Sequence, residues 1–156
     1  MKKIFIFYIL FLFISGCGYT SLYKNNDIKN ILLNFDIIET NGDNDINKSI
    51  ISNLKYYSDD KVTKVIPVKI DSSYSKSSIS KDKKGKTTAY AIVVTTNFNL
   101  IEKDGNTKKI IITEKININN IDDVFELRSY ELKIKKDISR SIVRQFVERI
   151  HVIEWY

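Results

Sequence analysis

From Thr87 to Ile101 apolar and polar residues alternate, and this alternation limits the chain more than any other feature of it. Tyr90, Ile92, Val94, Phe98 and Leu100 fall on one side; Ala89, Ala91, Thr95, Asn97 and Asn99 fall on the other. Successive side chains of a strand point to opposite faces, whereas a helix would smear such a pattern around its axis. The segment predicts a long strand in a sheet that is covered on one face only.

Three more segments carry the same period. Residues 28–39 place Ile31, Leu33, Phe35 and Ile37 on one face, with Asn34 and Asp36 opposite. Ile66, Val68, Ile70, Ser72 and Tyr74 mark a second strand, with Pro67 expected near its start or on an edge because it lacks an N–H. Residues 72–80 are polar and Ser-rich, which predicts an arm that extends past the core. Residues 107–118 turn Ile110, Ile112, Ile116 and Ile118 inward. Residues 81–86 form one hairpin turn, and residues 102–106 another, with Gly105 at its left-handed site.

Two stretches change to helical spacing. Ile46, Ile50 and Leu54 lie four apart within residues 45–57, with Ile51 and Tyr57 beside them, after a cap-forming run around Asn41, Gly42 and Asp43. Residues 119–129 read as irregular. From Tyr130 a long helix carries Ile134, Ile138, Ile142, Phe146 and Ile150 as a stripe, widened by Val143, Val147 and Ile153. The expected order is β-α-β-β-β-α. That is an α+β two-layer sandwich, with two helices packed on one face of a mostly antiparallel four-stranded sheet.

The N-terminus reads differently. Lys2 and Lys3 precede an apolar run over residues 4–14. As a helix this run would extend about 16 Å, against a bilayer core of about 30 Å, so it suits a signal peptide and not a span. Ile14, Ser15, Gly16 and Cys17 follow at once and resemble a lipobox, the motif read by bacterial lipoprotein signal peptidase. Small residues before the cut fit the peptidase, and the sulfur carries diacylglycerol as a thioether. Cys17 is the one cysteine of the chain, which excludes an internal disulfide. The expected division is a removed signal peptide over 1–16, a lipidated tether over 17–27 and a single domain over 28–156. No cofactor is expected beyond the covalent diacylglycerol and N-acyl chain on Cys17, which would hold the protein to the inner leaflet of the outer membrane. Gly18, where Asp would favour inner-membrane retention, is in keeping with export to the outer membrane.

Charge and chemistry narrow the function. The 156 residues carry a formal charge of +6, spread along the chain without the concentration expected of a nucleic-acid binder. Catalysis finds no constellation. His151 is the sole histidine, no Cys/His pair is available once Cys17 is lipidated, and no metal-ligand spacing occurs. Asp59 with Asp60 and Asp122 with Asp123 are adjacent acids expected in surface loops. An enzyme is therefore not expected. Two features could bind a partner. Lys81, Lys83, Lys84 and Lys86 crowd one hairpin tip and could meet lipid phosphates, although a solvated turn is the plainer reading. The Ser-rich arm with Tyr74 offers hydroxyls to a partner, or to water.

Several of these residues resemble one family. Cys17, Gly18, Tyr19, Thr20, Ser21, Leu22 and Tyr23 are similar to the Cys-Gly-(Phe/Tyr)-x-Pro-Leu-Tyr start of LptE-type lipopolysaccharide-assembly lipoproteins, with Ser21 where Pro is common. Phe98, Leu100, Asp104 and Gly105 look like the family's third strand and turn. Ser129 and Tyr130 resemble the pair that precedes its long last helix. The resemblance implies an outer-membrane lipoprotein on the periplasmic side that plugs the lumen of the β-barrel LptD. Such a protein helps the barrel assemble and assists insertion of lipopolysaccharide into the outer leaflet, with no covalent step. Lipopolysaccharide and LptD would be its partners. The alternative is a generic envelope lipoprotein without a barrel partner, structural in role or bound to peptidoglycan or another envelope complex.

Overall fold

The computed structural model describes residues 33–59, 65–102 and 104–152. The expected signal peptide, Cys17, the tether and Ile153 lie outside the described residues. The elements are β1 (Asn34–Gly42), α1 (Asn44–Lys55), β2 (Val65–Lys81), β3 (Thr87–Ile101), β4 (Thr107–Asn119) and α2 (Val124–Val152). The order is β-α-β-β-β-α, in one sheet arranged β1-β2-β3-β4.

β1 runs parallel to β2, and the two hairpins β2–β3 and β3–β4 are antiparallel. A parallel pair needs a crossover connection, and α1 is that crossover. Pro67 falls where the sequence places it. β2 pairs with β3 only from Val68 onward, so the missing N–H of Pro67 breaks no bond on that side. β1 carries an irregularity between Ile37 and Glu39, which leaves Ile38 unpaired and exposed.

Both helices lie against the inner face. Ile46, Ile50 and Leu54 of α1 and the stripe Ile134, Ile138, Ile142, Phe146 and Ile150 of α2 are buried with Val68, Ile70, Ile92, Val94, Phe98 and Leu100. Phe98 and Phe146 stack with centroids 3.9 Å apart and planes 17° from parallel, and Phe35 tilts against Phe146 at 5.8 Å. All of these core residues lie between Leu33 and Ile150.

Two expectations are corrected. The last helix starts at Val124 rather than Tyr130. Asp123 is its cap: the Asp123 Oδ1 accepts from the Phe125 N at 2.8 Å and from the Glu126 N at 2.9 Å. Asp123 and Glu126 have the three-residue spacing of a capping box, a signal hidden by reading Asp122 and Asp123 as loop acids. The Ser-rich arm is also less free than its composition implies. On its inner side Glu131 of α2 meets Tyr74 and Lys76, while Ser73, Ser75 and the residues from Ser77 onward stand exposed.

Candidate partner-binding surface

Three surfaces can meet a partner: the outer face of the sheet, the β2–β3 hairpin tip, and a shallow groove between the helices. The outer face follows from the alternation. Lys69, Asp71, Ser73 and Ser75 of β2 point away from the core, beside Thr95, Asn97 and Asn99 of β3 and Thr113 and Lys115 of β4. The Thr95 and Thr113 hydroxyls share a bond at 3.0 Å across the β3–β4 pair. Among the described residues no helix covers this side, and most of the outward side chains of β2, β3 and β4 are hydrophilic. Ala91, buried between Ser77 and Asn117 in register, Val93 beside Ser75 and Lys115, and the half-exposed Ile111 beside Asn97 are its apolar exceptions.

Lys81, Lys83, Lys84 and Lys86 all reach solvent at the tip. Asp82 organises the turn: its Oδ1 accepts from the Lys84 N at 2.8 Å and from the Lys86 N at 2.9 Å, while Gly85 takes φ +81°. Lys86 also pairs with Asp122 at 2.7 Å, and this contact holds its ammonium above the ordinary lysine value. Both partners are exposed, so the pair contributes little to stability. Asp122 thus meets the tip, and Asp123 caps α2.

Tyr74 is placed differently from the lysines. It is half-buried on the inner side, packed against the core beneath α2. Its hydroxyl lies 3.5 Å from Glu131 Oε2, and Lys135 Nζ sits 4.6 Å from its ring centroid. Burial first, then the negative charge of Glu131, pushes the phenol up to about 12. Glu131 also accepts from Lys76, whose ammonium lies 4.1 Å from the Tyr90 ring. In this body Tyr74 joins strand to helix. It is not gathered with the tip lysines.

The groove between α1 and α2 has a volume of about 440 Å³ and includes Lys48, Ser52, Leu132, Lys136 and Arg140 in its lining. At its floor Lys135 bonds Asp43 at 2.8 Å and Asp45 at 3.2 Å. Burial works against both charges of the first pair. The mutual hydrogen bond nevertheless holds Asp43 below the usual carboxylate value and Lys135 above the usual lysine value. Periodicity gives no sign of this cluster, because its members lie far apart in sequence.

Among the described residues no group of three or more His, Cys, Asp or Glu could hold a metal ion, and no helix is long and apolar enough to cross a membrane. His151 lies near the end of α2.

No protein-family model and no curated protein matches the chain. Among solved structures, rare lipoprotein B from Shewanella oneidensis superposes with a TM-score of 0.55 at 12% identity, covering 74% of this chain and 96% of that one. A protein from Caulobacter crescentus CB15 described as a lipoprotein superposes with a TM-score of 0.55 at 8% identity, covering 79% and 91%. Identities this low establish a shared architecture and leave function open. The chain has the α+β fold of these bacterial lipoproteins.

Proposed function

We propose that the protein is an outer-membrane lipoprotein, anchored through Cys17 on the periplasmic side, that plugs and helps assemble an LptD-type β-barrel and assists insertion of lipopolysaccharide. The reading rests on the resemblance carried by Cys17 to Tyr23, Phe98 to Gly105, and Ser129 with Tyr130. Its main physical support is the uncovered sheet face, polar from Lys69 to Ser75 and across Thr95, Asn97 and Thr113. Large outer-membrane barrels have wet, polar interiors, and a polar face loses little on entering one. The fold shared with lipoproteins of other bacteria agrees with an anchored envelope protein. No catalytic step and no cofactor enter this role.

Purification in mild detergent tests it. Recovery of a large β-barrel in equal amount, with loss of surface lipopolysaccharide on depletion, is the expected result. A monomer without a barrel would favour the generic envelope lipoprotein instead. The anchor is tested separately by Cys17→Ser, which should abolish incorporation of labelled palmitate. The tip lysines are offered to lipid phosphates in the same role, and Lys81, Lys83, Lys84 and Lys86 changed together to Gln should weaken lipopolysaccharide binding. Unchanged binding would remove them from it.

A further inference from the structure

We infer that the β2–β3 hairpin tip and the first turn of α2 form a single amphipathic end that docks on the surface of an anionic lipid layer. The inference stands on this end of the fold and not on the barrel reading.

Two unlike groups meet there. Lys81, Lys83 and Lys84 are exposed, and no acidic side chain pairs with them among the described residues. Val124 and Phe125 open α2 and are 74% and 86% exposed. The two groups are fastened together. Lys86 pairs with Asp122 at 2.7 Å, and the Asn120 N donates to the Thr88 O at 2.8 Å. The cap at Asp123 then fixes the backbone on which Phe125 stands. Leu127, one turn along, already packs against the core. The apolar stripe of α2 has therefore turned inward by that point, and Val124 with Phe125 remains outside it.

A lysine-rich turn alone is an ordinary solvated surface, and so is one bare phenylalanine. Side by side they have the chemistry of the lipid headgroup boundary, where ammonium groups meet phosphates and an aromatic ring enters the first acyl carbons. Charge complementarity selects the occupant: three unpaired ammoniums call for a phosphate-bearing surface. The position also matters. β1 begins at Asn34, opposite Val65, while the tip follows Lys81 at the far end of β2. At about 3.3 Å per residue the two ends are about 50 Å apart. The tip is thus far from the point where β1 begins. A basic patch added to a lipid anchor binds a surface more durably than either alone.

The body from residue 18 onward contains the whole described core and no cysteine, so it can be tested without its anchor. Vesicles of phosphatidylglycerol and of phosphatidylcholine are the probes, and a polarity-sensitive dye on Phe125→Cys reports the site. The expected result is binding to phosphatidylglycerol only, weakened by salt, with blue-shifted dye emission. Lys81→Gln, Lys83→Gln and Lys84→Gln together should weaken binding about a hundredfold, and Phe125→Ser about tenfold. All variants should unfold at the parent temperature. Absence of binding overturns the inference. So does binding that ignores Phe125→Ser and leaves the dye unshifted, which reports a basic turn only. Binding to lipopolysaccharide micelles without binding to phosphatidylglycerol also overturns it. None of these outcomes bears on whether a barrel co-purifies.

Discussion

Lys135 Nζ lies 2.8 Å from Asp43 Oδ2, joining residues ninety-two positions apart in the chain. The other oxygen of Asp43 accepts from the Asp45 N and the Ile46 N, both at 3.0 Å, and so caps α1. One carboxylate therefore starts the first helix and holds the second. Because the pair is part-buried, removing one partner leaves a charge short of solvent. Lys135→Met should cost about 1–3 kcal/mol, and Asp43→Ala about 1–2 kcal/mol with the cap included. Urea unfolding of both single variants and the double variant should give a loss smaller than the sum, as coupled residues do.

Stability should fall above pH 10. Tyr74 ionises near 10.0 when unfolded and only at about 12 in the fold. The folded state thus keeps a proton that the unfolded state gives up. The contribution is complete below pH 10 and is lost as pH rises toward 12. Lys135, also raised, acts in the same direction from its ordinary value of 10.5 upward. Asp43 is lowered, so its share is present above the ordinary carboxylate value of 3.8 and disappears as acid protonates it in the fold. Urea midpoints between pH 8 and 12 should decline, and Tyr74→Phe should flatten the decline.

Two glycines should respond differently to the same change. Gly42 takes φ +92°, and a Cβ there would lie 1.7 Å from the Ser72 O. Gly42→Ala must move β1 away from β2 and should prevent stable folding, seen as loss of a cooperative thermal transition. Gly85 takes φ +81° at the open tip, where an added Cβ meets nothing within 4 Å. Gly85→Ala should cost only the left-handed penalty, about 1–2 kcal/mol.

Thr96 offers a gain. It is fully buried on the inner face of β3, and its Oγ1 has no hydrogen-bond partner among the described residues. Valine keeps the shape and removes the stranded hydroxyl. Thr96→Val should raise stability by about 1 kcal/mol in denaturant unfolding. A loss instead would mean that a bound water satisfies the oxygen.

The periodic parts of the fold were legible without coordinates. β3 begins and ends where its alternation does, and the stripes Ile46–Ile50–Leu54 and Ile134–Ile150 are the buried ones. The cap at Asp123 was present as a local pattern but competed with a loop reading, which displaced the start of α2 by six residues. Tyr74 was placed on the correct strand face, yet its period gave no means of seeing Glu131 and Lys135 above it. Val124 and Phe125 were invisible as a surface feature, since their exposure depends on where the helix stops touching the sheet.

Sequence alone determined the element types, their order and which face of each is apolar, because period and turn chemistry are local. Tertiary structure decided that β1 pairs in parallel with β2, that Asp43 meets Lys135, and that Lys86 of the tip meets Asp122 just before α2. Those relationships come from how distant segments pack against one another. No residue's immediate neighbours encode that packing, and burial of the shared core fixes it.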